Sequence, residues 1–284
     1  MTLPGLVTTV AELRRALEPW RGQDKQKNGI ALVPTMGALH DGHLALVAAA
    51  RERIPHVAVS IFVNPTQFAP YEDFNSYPRT LEADREKLAR AGVSLIFAPF
   101  AREMYPDGFA TTVSVKGPGI GLETDFRPHF FDGVATIVAK LLIAAAPDKA
   151  MFGEKDYQQL LVIRRLVQDL SLPVEIVAVP IAREADGLAM SSRNAYLAPA
   201  QRQVAGQLNR VMQDVITRLA RGTGVVEALA FGTAALKEAG FDGVDYVALR
   251  DAETLAPLAA MQKPARLLVA ARIGKTRLID NMAV

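Results

Sequence analysis

Short apolar runs alternate with longer segments of helical periodicity over the first two thirds of the chain. Five continuous runs are typical of strands buried on both faces: 29–34, 56–63, 94–98, 149–152 and 174–180. Segments rich in strong helix formers predict helices at about 10–20, 43–53, 81–91, 132–146 and 158–169. A β-branched run, Thr111–Val115, predicts one more strand. This alternation predicts a parallel α/β sheet with helices on both faces.

The pattern changes after about residue 183. Two long helical segments and two strand-like runs follow, typical of a smaller α+β unit: 201–221, 225–239, 244–249 and 265–272. We therefore predict two domains. Residues 1–183 form a Rossmann-like domain with a doubly wound parallel sheet, and residues 184–284 form a smaller α+β domain.

Composition narrows the chemistry that the chain can perform. Half of the 284 residues are hydrophobic and 22% are charged, as in ordinary globular proteins. The chain has no cysteine, which excludes disulfides, thiolate metal sites and a cysteine nucleophile. The 32 basic and 30 acidic side chains give a net charge of +2, so bulk charge offers no argument for nucleic-acid or membrane binding.

Hydropathy along the chain predicts neither a membrane span nor a signal peptide. The N-terminal residues lack a basic stretch followed by an apolar core. The apolar run at 134–146 is interrupted by Lys140 and is shorter than the ~20 residues that a spanning helix needs. We expect a cytoplasmic protein.

Candidate chemistry lies in the loops that follow strands, because ligands of such sheets bind at the carboxyl ends of the strands. The loop at 34–43 reads Pro-Thr-Met-Gly-Ala-Leu-His-Asp-Gly-His, and a helix begins near its end. Glycine allows a ligand to approach the backbone, and a helix N-terminus attracts phosphate. Imidazoles at His40 and His43 can donate hydrogen bonds to phosphate oxygens.

Two alternatives remain for this pair of histidines. They could be structural, or they could bind a metal ion. Zinc would need a third ligand, and the other two histidines, His56 and His129, lie in unrelated contexts.

The loop resembles the HxGH signature of the nucleotidyltransferase superfamily. That superfamily carries a second phosphate-binding loop, which residues 189–194, Ala-Met-Ser-Ser-Arg-Asn, resemble. Hydroxyl groups and a guanidinium can clamp phosphates. Alternatively, Ser191 or Asn194 could cap a helix.

Three further segments restrict the resemblance to one family within this superfamily: 61–68, 152–160 and 183–197. Together with 34–43 and the C-terminal 274–281, they resemble the pantoate–β-alanine ligase family over residues 5–281. The resemblance implies an ATP- and Mg²⁺-dependent condensation of pantoate with β-alanine through a pantoyl adenylate, releasing AMP and pyrophosphate. It also implies a homodimer, with no nucleic-acid or membrane partner.

The resemblance further implies roles for individual residues. His43 and His40 would be catalytic, and Gln67 and Gln159 would hold pantoate. Seventeen residues would contact ATP: Met36, Gly37, Ala38, Leu39, His40, Asp41, Gly42, His43, Gly153, Glu154, Lys155, Asp156, Ala182, Met190, Ser191, Ser192 and Arg193. Asn64 and Tyr77 are weaker candidates for the lining of the site. No metal ligand is assigned, because Asp84, the one candidate, is better explained as a charge on a helix surface.

Two competing functions stay open at this point. One is a nucleotidyltransferase that leaves the nucleotide on its product, which would release no free AMP. The other is an RNA-binding module, which would need a basic face that residues 184–284 lack. Glycine motifs at 117–121 and 274–276 are set aside, because neither has the spacing of a nucleotide-binding loop. His129 is displaced by one residue from the pattern of many relatives and receives no role.

Overall fold

The computed structural model describes residues 2–68 and 74–284, which form two compact units. The N-terminal unit comprises the chain up to residue 154 together with 162–180. The C-terminal unit comprises 155–161 and 181–284. The division therefore differs from a single boundary near residue 184, because a short segment inside the first two thirds of the chain packs with the C-terminal residues.

The N-terminal unit is built on six parallel strands. They are β1 (Gly5–Val7), β2 (Ile30–Thr35), β3 (His56–Ile61), β4 (Leu95–Phe97), β5 (Lys149–Gly153) and β6 (Glu175–Val179). Their order across the sheet is β1-β4-β3-β2-β5-β6, and every neighbouring pair is parallel. The doubly wound parallel sheet predicted from the sequence is therefore confirmed.

Helices connect these strands. They are α1 (Val10–Leu17), α2 (Lys25–Asn28), α3 (Asp41–Arg51), α4 (Leu81–Arg90), α5 (Ala101–Met104), α6 (Glu123–Phe126), α7 (Phe130–Ala145) and α8 (Tyr157–Asp169). The central strands and α3 share an apolar core with fully buried members on both elements, among them Ala31, Val57, Val59 and Ala50. Continuous apolar runs form the inner strands because both of their faces are covered.

The winding of the sheet reverses between β2 and β5. From β2 the chain proceeds through β3 and β4 to one side, and β5 and β6 are added on the other side. A crevice forms outside the carboxyl ends of the strands where the order reverses, and ligands of such sheets bind there. The loop after β2, residues 36–40, and the segment after β5, from residue 154, begin at this edge.

The C-terminal unit combines two helices and an antiparallel sheet. Its elements are α9 (Pro199–Ala220), α10 (Val225–Glu238), β7 (Gly243–Asp251), β8 (Ala265–Ile273) and β9 (Thr276–Ala283). The strands lie in the order β7-β8-β9. Gly274, with a φ of +56°, and Lys275 form the two-residue turn between β8 and β9. The Gly-Lys-Thr sequence at 274–276 is therefore a hairpin and not a phosphate loop.

The predicted elements are present with their ends shifted by at most two residues, apart from the first helix, whose α-helical part ends at Leu17 and is followed by the 3₁₀ turn Glu18–Trp20. The strand predicted at Thr111–Val115 is wrong. These residues are assigned to no strand or helix, and Thr111, Thr112 and Ser114 are exposed. The Val113 N–H instead donates to the Thr136 hydroxyl of α7 at 2.9 Å. Strands β1 and β9 were not predicted.

Among the described residues, no helix is both long and apolar enough to cross a membrane. The cytoplasmic location stays a prediction.

Candidate functional site

The loop after β2 makes a tight turn at Gly37 and Ala38. Gly37 has a φ of +81° and Ala38 a φ of +51°, so two successive residues occupy the left-handed region. Glycine adopts this region without cost, whereas alanine does so at a cost of about 1 kcal/mol. The neighbouring structure must therefore stabilise the turn.

The stabilising group is the carboxylate of Asp84, which is fully buried in α4. Its Oδ2 accepts a hydrogen bond from the Ala38 N–H at 2.9 Å, and its Oδ1 accepts one from the Leu39 N–H at 2.8 Å. The hydroxyl of Thr80 donates to Oδ2 at 3.0 Å. Lys87, one turn further along α4, donates to the Leu39 carbonyl at 2.6 Å. Helix α4 therefore holds both polar groups of the Leu39 backbone.

The expectation that Asp84 is a charge on a helix surface is wrong. Three donors offset the cost of removing this carboxylate from water. The sequence did contain a signal, since Asp84 lies four residues before the buried Leu88 on one face of the helix. An acidic residue within an apolar stripe indicates a buried carboxylate with a specific partner.

His40 and His43 lie at the N-terminus of α3. The Nδ1 atom of His40 accepts a hydrogen bond from the Gly42 N–H at 3.2 Å. The Nδ1 atom of His43 accepts one from the His40 N–H at 3.3 Å. The ring centroids are 4.1 Å apart and the rings are tilted by 47°. Because Nδ1 accepts in both rings, the neutral imidazoles carry their hydrogen on Nε2.

This arrangement places the two imidazoles at one helix end. The N-terminus of α3 carries the partial positive charge of the helix dipole, and its Gly42, His43 and Leu44 N–H groups already donate to His40. The histidines add two Nε2–H donors and need no positive charge to supply them. Asp41, in the first turn of the helix, is exposed. The site is therefore suited to an anion that accepts several hydrogen bonds, such as a phosphate.

A second loop follows β3, the strand that pairs with β2. Asn64 is 1% exposed, and its Nδ2 donates to Gln67 Oε1 at 3.0 Å and to the Gly133 carbonyl at 3.2 Å. The hydroxyls of Tyr105 and Thr66 donate to Asn64 Oδ1 at 2.8 and 3.0 Å. Burial raises the pKa of Tyr105, so its hydroxyl keeps the proton that it donates. Asn64 thus engages the amide oxygen of Gln67 and orients its NH₂ group.

The backbone beside Gln67 is fixed as well. Arg127 donates to the Gln67 carbonyl at 3.0 Å. A Cβ atom on Gly133 of α7 would lie 2.4 Å from the Thr66 carbonyl, so only glycine permits this approach. Tyr77 is buried and packs edge-on against Phe68 at 5.8 Å between ring centroids.

Three candidate segments thus meet at one edge of the N-terminal unit. The Phe62 N–H donates to the Thr35 carbonyl at 3.0 Å, so the loops after β2 and β3 start side by side. Strand β5 pairs with β2 and ends at Gly153, followed by Glu154. The candidates in this unit are Met36, Gly37, Ala38, Leu39, His40, Asp41, Gly42, His43, Gln67, Gly153 and Glu154.

The other candidates belong to the C-terminal unit: Lys155, Asp156, Gln159, Ala182, Met190, Ser191, Ser192 and Arg193. The Met190 N–H donates to the Ala182 carbonyl at 2.9 Å, which brings these two candidates together. Lys155 Nζ lies 4.0 Å from the carboxylate of Asp156.

The alternative reading of the loop at 189–194 is confirmed in part. Ser191 precedes the 3₁₀ helix Ser192–Tyr196, and its Oγ accepts from the Arg193 N–H at 3.3 Å. Asn194 instead donates from Nδ2 to the Ala189 carbonyl at 3.1 Å. The capping bond of Ser191 fixes the start of the turn that carries Ser192 and Arg193.

A metal centre built from side chains is not found within the described ranges, where no three His, Asp or Glu residues are grouped closely enough. His56 stacks on Trp20 at 4.7 Å between ring centroids, and His129 is exposed beside the start of α7.

Comparisons with known proteins cover the whole chain. The family model described as pantoate-beta-alanine ligase matches residues 5–283. A pantothenate synthetase of Nitrobacter hamburgensis is 56% identical over 283 residues, which cover 99% of each chain. One from Mesorhizobium japonicum is 53% identical over 284 residues, covering 100% of this chain and 99% of the relative.

Solved structures agree with the sequence relatives. The crystal structure of pantothenate synthetase from Thermus thermophilus is similar with a TM-score of 0.91 and 51% identity, over 98% of each chain. A pantoate-beta-alanine ligase from Francisella tularensis, complexed with beta-gamma ATP and beta-alanine, is similar with a TM-score of 0.82 and 32% identity. That match covers 99% of this chain and 97% of the relative.

The buried contacts of Asp84 generate a prediction about stability. Asp84→Asn replaces one acceptor oxygen by an NH₂ group that faces an N–H donor, so we expect the free energy of unfolding to fall by about 2–4 kcal/mol. Glu86→Gln is the matched control, because Glu86 lies on the same helix with its side chain 66% exposed. We expect less than about 0.5 kcal/mol for the control. Urea unfolding of both variants measures the difference, and equal losses would contradict the role of Asp84.

Proposed function

The chain belongs to the pantoate–β-alanine ligase family, and on that premise we propose that it joins pantoate to β-alanine with ATP, through a pantoyl-adenylate intermediate. The ligation that yields pantothenate follows from the family. The use of ATP and the adenylate are proposed from the chemistry of the site. The observation that carries them is the pair of imidazoles at the N-terminus of α3 whose Nδ1 atoms accept hydrogen bonds from backbone N–H groups.

In the first step, an oxygen of the pantoate carboxylate attacks the α-phosphorus of ATP. The bond from that phosphorus to the bridging oxygen breaks, and pyrophosphate leaves with its electron pair. Negative charge shifts onto the bridging oxygen and the oxygens of the α-phosphate. His40 and His43 would donate from Nε2 to these oxygens, with the N–H groups of α3 beside them. Fixed donors in this position stabilise the transition state without having to reorganise.

The remaining nucleotide contacts are proposed from the family resemblance. Gly153 and Glu154 would lie against ATP, and Ala182 would contact adenine through its backbone. Asp156 can accept hydrogen bonds from ribose hydroxyls. Side chains with donor groups would hold the phosphates: Lys155, Ser191, Ser192 and Arg193.

In the second step, the amine of β-alanine attacks the acyl carbon of the adenylate. The bond between that carbon and the phosphate oxygen breaks, AMP leaves, and the amide nitrogen loses a proton. Gln67 and Gln159 would hold pantoate for both steps. Gln67 offers its NH₂ group, because Asn64 already donates to its amide oxygen. An NH₂ group pairs well with a carboxylate.

Magnesium enters the proposal with ATP. Mg²⁺ is commonly held by substrate phosphates and water with only one or two carboxylates. When bound, it would neutralise charge on the leaving pyrophosphate. The donor side chains of the site fit the remaining phosphate oxygens.

We further propose that the chain forms a homodimer through residues 110–116. This segment is largely exposed, is rich in β-branched residues, and is assigned to no strand or helix in the described part of the chain. Such a segment can pair with its counterpart in a second copy. Light scattering tests the proposal, and a mass of one chain would contradict it.

An isotope experiment tests the reaction itself. Pantoate labelled with ¹⁸O in its carboxylate is supplied with ATP, Mg²⁺ and β-alanine, and the products are analysed by mass spectrometry. We expect free AMP that carries one ¹⁸O, since the carboxylate oxygen stays on phosphorus when the adenylate is opened. Unlabelled AMP would exclude the adenylate. A product that retains the nucleotide would instead indicate a nucleotidyltransferase.

His43→Ala removes one Nε2–H donor from the site. We expect kcat to fall by about 10²–10³-fold while the thermal midpoint stays within a few degrees. His129→Ala is the control, because His129 is exposed and its side chain does not cap α7. AMP release measures both variants. Equal turnover of His43→Ala and the wild type would refute the assignment.

Gln67→Ala removes the proposed contact with pantoate and leaves the loop after β2 intact. We expect the KM for pantoate to rise by about tenfold, with the KM for ATP within twofold of the wild type. Gln168→Ala serves as control, since Gln168 is exposed on α8. An unchanged KM for pantoate would count against this role.

A further inference from the structure

Two adjacent polar residues near the end of the chain are buried in β9. Asp280 and Asn281 are each 2% exposed. Successive side chains of a strand point to opposite faces of its sheet, so the two residues reach different parts of the C-terminal unit. Buried polar side chains in a sheet require specific partners.

The partner of Asp280 is Arg183. The guanidinium donates to both carboxylate oxygens, at 2.7 and 3.0 Å. It also donates to the Gly187 carbonyl at 2.9 Å and to the Asn281 carbonyl at 3.3 Å. Arg183 directly follows Ala182 and forms an isolated β-bridge with Ala189. The ion pair therefore anchors the turn that brings Ala182 to Met190.

The partners of Asn281 lie in a different segment. Its Nδ2 donates to the Lys155 carbonyl at 2.9 Å, and its Oδ1 accepts from Arg266 Nε at 2.7 Å. The Arg266 guanidinium lies over the ring of Tyr157 at 4.1 Å, and the Tyr157 hydroxyl donates to the Ala252 carbonyl at 2.9 Å. Asn281 thereby fixes the backbone of the turn that begins at Lys155.

We propose that Asp280 and Asn281 are positioning residues for the nucleotide. Each of the two segments that they hold carries residues assigned above to ATP, Lys155 and Asp156 in one and Ala182 and Met190 in the other. One dipeptide sets the spacing between these segments, because Arg183 is bonded to the Asp280 carboxylate and the Asn281 carbonyl, and the Lys155 carbonyl is bonded to the Asn281 side chain. The inference rests on the proposed ATP-dependent function.

Positioning has a kinetic signature that differs from a loss of stability. If the Lys155 turn loses its anchor, contacts to ATP weaken directly, whereas Gln67 in the N-terminal unit keeps its proposed contact with pantoate. The KM for ATP should therefore rise more than the KM for pantoate, which depends on the anchored segment only through Gln159. Destabilisation alone lowers the amount of active enzyme and leaves both KM values where they were.

Asn281→Asp is the sharpest variant. It is isosteric and keeps an acceptor for Arg266 Nε, but it replaces the donor that faces the Lys155 carbonyl by an oxygen. We expect the KM for ATP to rise by about five- to thirtyfold, as for a lost hydrogen bond with added repulsion. The KM for pantoate should rise less than the KM for ATP, because Gln67 is unaffected. Asp280→Asn, which weakens the bond to Arg183, is a second variant with the same expected pattern.

Asp245→Asn is the matched control. Asp245 lies in β7 of the same sheet, its side chain is 7% exposed, and it accepts from Arg277 Nε at 2.7 Å and from Arg272 at 3.3 Å. The substitution therefore weakens an ion pair similar to that of Asp280 with Arg183, but one that anchors no segment proposed to bind ATP. We expect a lower thermal midpoint and an unchanged KM for ATP.

Steady-state AMP release and thermal unfolding of the full-length wild type and the three variants decide the matter. A folded Asn281→Asp with a wild-type KM for ATP overturns the inference, and so does an equal rise in Asp245→Asn. If the wild type itself releases no AMP, the proposed function fails and the inference fails with it. That outcome is visible before any variant is made.

Discussion

A single buried carboxylate determines the shape of the proposed phosphate site. The turn after β2 places Gly37 and Ala38 in left-handed conformations, and Asp84 binds the two backbone N–H groups that this turn exposes. Without this acceptor, two buried donors would lack a partner, at a cost of about 1–3 kcal/mol each. The turn therefore determines where α3 starts and where its N-cap residue, His40, lies. The geometry of the histidines therefore depends on a residue of another helix.

A backbone N–H group donates to the Nδ1 atom of each histidine, so both rings are arranged to donate from Nε2. A neutral imidazole that accepts at Nδ1 presents its proton at Nε2. A neutral donor can bind a phosphate oxygen without a strong ion pair in the ground state, so in the proposed reaction it would favour the charge that develops on the departing pyrophosphate. Asn64 works on the same principle, since it donates to the amide oxygen of Gln67 and leaves the NH₂ group for the proposed contact with pantoate. In both loops, one hydrogen bond occupies the acceptor atom of a side chain that can both donate and accept, and leaves its donor group available.

Much of the fold could be predicted from the sequence, because burial on both faces leaves continuous apolar runs, as at Ile30–Thr35 and Glu175–Val179. The strand predicted at Thr111–Val115 is wrong because residues of high β propensity form a strand only beside a pairing partner, and the described residues provide none. The mixed polar composition of Thr276–Ala283 concealed β9, whose Asp280 and Asn281 are buried through their side-chain partners. The sequence motifs identified the candidate loops. They could not show the burial of Asp84 or the orientation of Gln67, since both depend on contacts between distant segments.

The chain passes between the two units three times, after residues 154, 161 and 180. Cleavage at residue 180 would therefore not yield two independent fragments. A piece beginning at 181 would lack the short segment whose Lys155 carbonyl and Tyr157 ring meet Asn281 and Arg266. Attempts to express the last hundred residues alone should give an aggregation-prone product. Complementation by co-expressed halves would require a break point elsewhere, such as the surface turn at Arg221 and Gly222.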